Sequence, residues 1–346
     1  MYFHYVPLKS LEDVLLRYSH KKKITLATVA AKANVSTITA SRAFSQPEKV
    51  RPDTLKRILE SAEQLGYIIN TSARNLRAKK SKTIGVVTPD MVNPFFSQLA
   101  QIITHEARKR GYDTLIFDTC ESQEIEKHII DKLIGYNVDA IILAVISNDK
   151  YYQPSYLERL KILGIPVVLM DRELETDYCS GVYIDNFDCG IQAGNWLLKQ
   201  RVQQVVVVAG PENSNVSYER VKGIKKILQH RIHSLDILYA DFFMEMAWKK
   251  TKRWLENNTV PDFFLACNNQ ISYGIIKACI EKKVMQQTSL FSIDRITYAD
   301  VYGFHFPCIH HNHQEIALQA INLAIRSIEE PELKAKKIIV RGTLIE

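Results

Sequence analysis

At 346 residues, 46% apolar and 24% charged, the chain is long enough for two or three domains and has the composition of a soluble globular protein. Its apolar runs fall short of the roughly 18 residues a membrane span needs. The opening MYFHYVPLKSLEDVLL lacks the basic start, apolar core and small-residue cleavage site of a signal peptide, so a cytoplasmic protein is expected. Residues 1–82 carry a net charge of +10 in a chain of +7, leaving −3 on the remainder, which points to a polyanionic partner for the front end alone.

Residues 1–23 form an extension open to two readings. Leu8, Leu11, Leu15 and Leu16 suit one face of an amphipathic helix followed by the basic Lys21 to Lys23, and a start codon assigned too far upstream would leave the same kind of segment. From Ile24 the pattern sharpens. Leu26, Val29, Ala30 and Ala33 fall at i, i+3, i+4 and i+7, one face of a helix that Thr25 can cap. Asn34 tolerates the left-handed backbone of a tight turn. Ser36 is the natural N-cap of a second helix in which Ala40 and Phe44 face inward, while Thr37, Ile38, Ser41 and Arg42 point elsewhere. A third helix starts near Pro52, carries its apolar stripe on Leu55, Ile58, Leu59, Ala62 and Leu65, and stops at Gly66. Two short helices joined by a tight turn and backed by a third make a helix-turn-helix, expected over residues 24–69, whose second helix enters the DNA major groove.

The stretch TLATVAAKANVSTITASRAF, residues 25–44, resembles the N-terminal signature of the lactose/galactose repressor (LacI/GalR) family, matching at Thr25, Val29, Ala30, Ala33, Val35, Ser36, Thr39, Ser41 and Arg42. It departs at Thr28, where the family usually has Asp, at Asn34 for Gly and at Ala40 for Val. The resemblance implies base or phosphate contacts from Thr25, Ser36, Thr37, Ile38, Thr39, Ser41 and Arg42. It also implies a hinge helix over residues 70–82 that folds on operator DNA, where Leu76 wedges into the minor groove beside the basic Arg77. Such a chain binds a near-palindromic operator as a homodimer. The ending PELKAKKIIVRGTLIE reads as a helix end and one final strand with no heptad segment to join dimers into a tetramer.

From residue 83 to 346 strands and helices alternate. IGVVTPD, DTLIFDT, AIILAVI and PVVLMDR read as buried parallel strands with helices near 95–110, 122–136 and 152–163, and after GVYIDN a second series runs through VVVVAG, DILYAD, FFLACN and SLFSID. Two such series predict an α/β body of two doubly wound parallel-sheet lobes, similar to periplasmic binding proteins, with ligand at the carboxyl ends of the strands. Those ends carry Asp90, Asn93, Phe95 and Phe96, then Asp171-Arg172, Asn213 to Arg220, Asn268-Asn269 and Asp294-Arg295. Asn, Asp and Arg offer bidentate groups to vicinal hydroxyls, and Phe stacks on the apolar face of a sugar ring.

The family resemblance marks Asn93, Phe95, Phe96, Arg172, Ser217, Arg220, Asn269, Asp294 and His311 as effector contacts, for a sugar or sugar phosphate. LMDRELETDYCSGV and NVSYERVKG also look similar to the fructose and sucrose repressor branch. Asn269 stands where most of the family has Asp, so Arg172 and Arg220 are expected to be under-neutralised and an anionic effector favoured.

Six scattered cysteines form no C-x-x-C pair, and Cys308-Ile309-His310-His311-Asn312-His313 has poor zinc spacing, so no metal or cofactor is expected. The nucleotide-binding and nucleophile-elbow signatures are missing. A repressor of carbohydrate genes accounts for every segment. A cytoplasmic sugar-binding protein or a carbohydrate enzyme on the same fold accounts for the body alone.

Overall fold

A computed structural model describes residues 24–68, 81–147, 149 and 152–346. The extension 1–23 and the expected hinge segment, with Leu76 and Arg77, lie outside the described residues, apart from Ser81 and Lys82. The chain divides between Ser81 and Lys82 into two compact units.

The first unit holds helices α1 (Leu26–Lys32), α2 (Thr37–Ser45) and α3 (Pro52–Leu65), with a single 3₁₀ turn at Pro47–Lys49. Thr25 caps α1 by accepting from the Thr28 N–H, and Thr28 Oγ1 accepts in return from the Thr25 N–H at 3.3 Å. The substitution of Thr for the family's Asp therefore keeps a complete capping box and gives up only a charge. Asn34 takes φ 52 in the turn. Ser36 caps α2, its Oγ 3.1 Å from the Thr39 N–H. Pro52 opens α3, and Gly66 closes it at φ 66. Val29, Ala33, Ala43, Ile58 and Ala62 form a small core that Phe44 and Tyr67 edge.

The second unit contains two six-stranded sheets. The first runs in the order β11-β5-β4-β3-β1-β2 and the second β12-β10-β9-β8-β6-β7. Strands β1 (Thr83–Thr88), β2 (Asp113–Asp118), β3 (Ala140–Leu143), β4 (Val167–Asp171) and β5 (Ser180–Ile184) alternate with α4 (Pro94–Lys109), α5 (Gln123–Gly135) and α6 (Tyr156–Ile162). The second series is α7 (Asn186–Lys199), β6 (Gln204–Ala209), α8 (Asn215–Leu228), β7 (Ser234–Tyr239), α9 (Met244–Asn257), β8 (Phe263–Ala266), α10 (Asn269–Glu281), β9 (Ser289–Ile293) and β10 (Cys308–His310). The chain closes with α11 (His313–Glu329), β11 (Lys337–Val340) and β12 (Thr343–Ile345). The inner strands are unbroken apolar runs, as β3 and β4 show, because helices cover both faces of the sheet.

Three features differ from the sequence reading. Pro154, which lacks the N–H that a helix interior needs, holds the start of α6 back to Tyr156. The tail forms two strands: β11 pairs parallel with β5, and after Arg341-Gly342 β12 pairs antiparallel with β10, so the second sheet is not wholly parallel. Finally, α11 comes after a strand of the second lobe yet packs on α4 and the first sheet. The chain thus passes between lobes three times, at Asp185, at His311-Asn312 and at Arg341-Gly342.

In the second lobe α7 and α8 cross at Gly190 and Gly223. A Cβ on Gly223 would overlap the Phe187 carbonyl oxygen, and one on Gly190 the Arg220 carbonyl oxygen. Both obstacles are backbone, so relief requires the helices to separate. Gly223→Ala is expected to destabilise the body by about 1–3 kcal/mol, typical of overpacking. Calorimetry should show a transition lowered by several degrees, with a normal profile weighing against this packing account.

Candidate functional site

In the first unit the side chains of α2 divide by role. Ala40 and Ala43 are buried, Thr37 and Arg42 are exposed, and Ile38 is 70% exposed. An apolar side chain that solvent-facing, next to Thr37 and one turn from Arg42, makes a surface mixed enough to meet both thymine methyls and base-edge acceptors. Ser36 and Thr39 are occupied with each other, their hydroxyl oxygens 2.8 Å apart, and Thr25 is occupied with Thr28. Ser41 is half-buried.

In the second unit strand ends from both lobes converge on one cavity of about 40 Å³, whose walls include Asn93, Phe95, Phe96, Glu121, Arg172, Arg220, Phe242 and Asp294. A second space of about 210 Å³ shares Glu121, Arg172, Phe242 and Phe243 with it. The two are sides of one cleft that the paired phenylalanines divide. Small-ligand pockets run to about 300–1,000 Å³, so a sugar-sized guest needs these rings to part. Contacts across the cleft hold it closed. Asn269 Nδ2 donates to Asn93 Oδ1 at 3.2 Å, Asn213 Nδ2 to Asp149 Oδ2 at 3.3 Å, and the Arg172 guanidinium lies 5.5 Å from the Phe242 ring centre.

The local geometry stems from the strand ends. Asn93 caps α4, its Oδ1 accepting from the Phe95 N–H at 3.0 Å, which turns Phe95 and Phe96 inward in edge-to-face contact. Asp171 and Asp294 end equivalent strands of the two lobes in left-handed conformation, φ 68 and φ 79, a strain that non-glycine residues keep where position matters. Arg220 is buried, with Nε donating to Asn186 Oδ1 at 2.8 Å and Nη1 donating to the Cys267 carbonyl. Arg172 is buried too and meets Glu121 through both Nη atoms, at 2.9 and 2.5 Å.

Burial pushes the Asp171 carboxyl upward against the pull of Arg172 and Arg220. Burial also opposes ionisation of Asp294, but His311 and Arg220 outweigh it and hold that carboxyl below its ordinary range. His311 Nε2 lies 2.8 Å from Asp294 Oδ1, close enough for an ion pair yet not aligned as a hydrogen bond.

A model of the lacI family of bacterial regulatory proteins matches residues 25–70, and a periplasmic binding protein domain model matches residues 84–303. The Escherichia coli K12 repressor CytR is 30% identical over 285 residues, 80% of this chain and 82% of its own length. The chain belongs to the lacI family of bacterial regulatory proteins. It is also 26% identical over 311 residues to the fructose operon regulatory protein of Vibrio cholerae, covering 88% of this chain and 94% of that one. Among solved structures, the lac repressor dimer bound to operator and the anti-inducer ONPF superposes with a TM-score of 0.78 at 21% identity, over 94% and 98% of the two chains. The Pseudomonas putida regulator Cra with fructose 1-phosphate superposes at 0.71 and 22%, over 77% and 98%. At those identities both show the same fold.

In this lacI-family chain the cavity brings together six of the nine residues expected to meet effector: Asn93, Phe95, Phe96, Arg172, Arg220 and Asp294. The other three lie elsewhere. Ser217 is fully buried beside the cavity, its Oγ without a hydrogen-bond partner. Asn269 and His311 face a neighbouring space of about 330 Å³ that shares Phe95 and Asp294 with the cavity and is lined also by Tyr298, His310 and His313. The expected under-neutralisation does not hold for Arg172, which has a paired carboxylate, while Arg220 meets only neutral partners among the described residues. Glu121 supplies the carboxylate that pairs with Arg172, and Asn269, at the neighbouring space, donates to Asn93 of the cavity wall. Glu121, Phe242 and Phe243 were not anticipated. They come after β2 and β7, two strand ends to which the same rule applied.

His313 packs on Phe95 with ring centres 5.3 Å apart, and burial lowers its pKa from the ordinary value of 6.5 to about 4. The folded state therefore binds fewer protons than the unfolded state between those values. Stability is full above pH 6.5 and falls as pH drops toward 4. For this half-buried ring the loss is about 1–2 kcal/mol after discounting for solvent. His313→Phe should flatten that part of a melting-temperature profile, and an unchanged slope would contradict the assignment.

Proposed function

We propose that the chain is a sequence-specific DNA-binding repressor of carbohydrate-metabolism genes. It acts in the cytoplasm as a homodimer on a near-palindromic operator and responds to a sugar or sugar-phosphate effector held between its two lobes. One observation carries this reading: a capped helix presenting Thr37, Ile38 and Arg42 to solvent shares a chain with a cleft walled by Arg, Asp and Phe from both lobes. The relatives support it. The lac repressor was solved as a dimer on operator, Cra with fructose 1-phosphate, and CelR with cellobiose.

In this proposal Thr37, Ile38, Ser41 and Arg42 read bases, while Thr25, Ser36 and Thr39 fix the helix ends and offer their remaining lone pairs near phosphate. Leu76 and Arg77 are assigned by resemblance alone. The effector meets Asn93, Phe95, Phe96, Arg172, Arg220 and Asp294, with Ser217, Asn269 and His311 close behind. A guest touching both lobes shifts the population of closed clefts only by its difference in affinity for open and closed states.

Two variants separate reading from sensing. Arg42→Ala should lose about 1–3 kcal/mol of discrimination against a mutated operator, as when one bidentate Arg–guanine pair is removed. Fluorescence anisotropy on operator and scrambled duplexes measures this, and equal weakening on both would exclude a base-reading role. Arg220→Ala should lose the effector response, because alanine cannot replace a bidentate guanidinium. Calorimetric titration of sugars and sugar phosphates against wild type and variant decides it. A response at unchanged concentration would move the effector site away from this cleft.

A further inference from the structure

Glu121 stands on a turn built for it. Cys120 and Glu121 are successive non-glycine residues in left-handed conformation, φ 49 and φ 54. Asp118 Oδ1 accepts from the Cys120 N–H at 2.8 Å, Asp118 Oδ2 accepts from the Met91 N–H at 3.0 Å, and the Glu121 N–H donates to the Pro89 carbonyl at 3.0 Å. A surface loop with no positional duty would relax such strain. Here it delivers a carboxylate to the buried Arg172 guanidinium in a two-pronged pair, 2.9 and 2.5 Å.

Nη1 of Arg172 has further partners. It donates to the Val145 carbonyl at 3.2 Å and to the Ile146 carbonyl. That loop is itself held by Glu126, a fully buried carboxylate of α5. It accepts from the Ile146 N–H at 2.8 Å, from the Tyr156 hydroxyl at 2.6 Å and from the Tyr152 hydroxyl at 2.5 Å. Glu126 is thus a positioning residue: it fixes the carbonyls that, with Glu121, hold the guanidinium in place.

The charges left facing the cavity are acidic. Asp90, Asp171 and Asp294 line it alongside Glu121, against Arg172 and Arg220. A phosphate dianion entering this space would have to prise Arg172 from Glu121 or lie among carboxylates in a medium where water screens little. Hydroxyl groups face no such penalty. They donate to Asp294 or Glu121, and the apolar faces of their ring meet Phe95, Phe96 and Phe242.

We propose that Glu121 sets effector charge specificity: by neutralising Arg172 it reserves the cleft for an uncharged polyhydroxylated molecule and turns away its phosphorylated form. This rests on the cleft being the effector site. Glu121→Gln keeps the shape and one hydrogen bond but removes the opposing charge, leaving the guanidinium free to bind phosphate.

The test is isothermal titration of the full-length protein and Glu121→Gln with fructose, glucose and ribose and with fructose 1-phosphate, glucose 6-phosphate and ribose 5-phosphate. Wild type should bind at least one free sugar and bind its ester at least about tenfold more weakly. Glu121→Gln should shift that ratio toward the ester by at least about tenfold. Wild-type preference for an ester overturns the proposal even where the variant fails to fold. So does an unchanged ratio in a folded variant. Binding of none of the six molecules to either protein overturns the effector reading and the proposal with it. Binding with the wrong ratio overturns the proposal alone.

Discussion

A chain that passes between two sheets three times cannot let them drift apart, and the working parts of the body depend on that constraint. The crossings at Asp185, at His311-Asn312 and at Arg341-Gly342 lie side by side where the lobes meet. Each lobe borrows from the other's stretch of sequence. The first takes α11 and β11, and the second takes β12 after the last crossing. Three adjacent crossings restrict how far one lobe can move against the other. Small residues and buried polar groups collect at these crossings: Gly342, whose Cβ would strike Ile309, and His311 against Asp294. Motion of this kind places hinge residues at element ends.

The two guanidinium groups in the cleft are held differently: Arg172 pairs with Glu121, whereas Arg220 donates to the neutral Asn186 side chain and the Cys267 carbonyl, with Asp294 acting on it only through its field. The contacts that bridge the lobes are chemically weaker. They are amide–amide and amide–carboxylate hydrogen bonds and one cation–ring contact. Such hydrogen bonds contribute about 1 kcal/mol apiece, a size that a ligand's own contacts can match. Among these polar contacts, the Arg172–Glu121 ion pair lies within a lobe and the weaker hydrogen bonds lie between lobes.

Much of this was legible in the sequence, and each failure has a physical cause. The head was readable almost residue by residue, because caps, a left-handed Asn and a terminal Gly are local signals: Thr25, Asn34, Ser36, Pro52 and Gly66 do what their side chains dictate. The strands of both lobes were readable as apolar runs. The tail was not, since KIIV and TLI are too short for periodicity to show that they enter different sheets. Six of the effector candidates meet in the cavity because strand ends in this fold point one way. Glu121 and Phe242 were harder to find because β2 and β7, the strands that lead to them, are edge strands with half-buried, mixed patterns, so their carboxyl ends stand out less than those of the apolar inner strands. The charge argument failed at Arg172 for a different reason. It counted the loss of one carboxylate at Asn269 by position in the chain, whereas neutralisation depends on proximity, and Glu121 lies 51 residues before the arginine it neutralises.

The same distinction between place in sequence and place in space bears on the head. Of the +10 carried by residues 1–82, the described helices hold little. Lys32, Arg42, Lys49, Arg51, Lys56 and Arg57 stand against Glu48, Asp53, Glu60 and Glu63, a net of +2. The remaining charge belongs to residues 1–23 and 69–82, on either side of the helix-turn-helix. Attraction to phosphate scales with the number of cations brought near the duplex and falls steeply with salt, whereas discrimination among bases depends on a few side chains held in register. The proposed roles assign these two jobs to different segments. In the proposed reading the capped, compact α2 offers Thr37, Ile38 and Arg42 for discrimination, and most of the basic excess lies in the flanking sequence. If those roles hold, changes in the flanks act on how tightly any DNA is held, and changes in α2 act on which DNA is chosen.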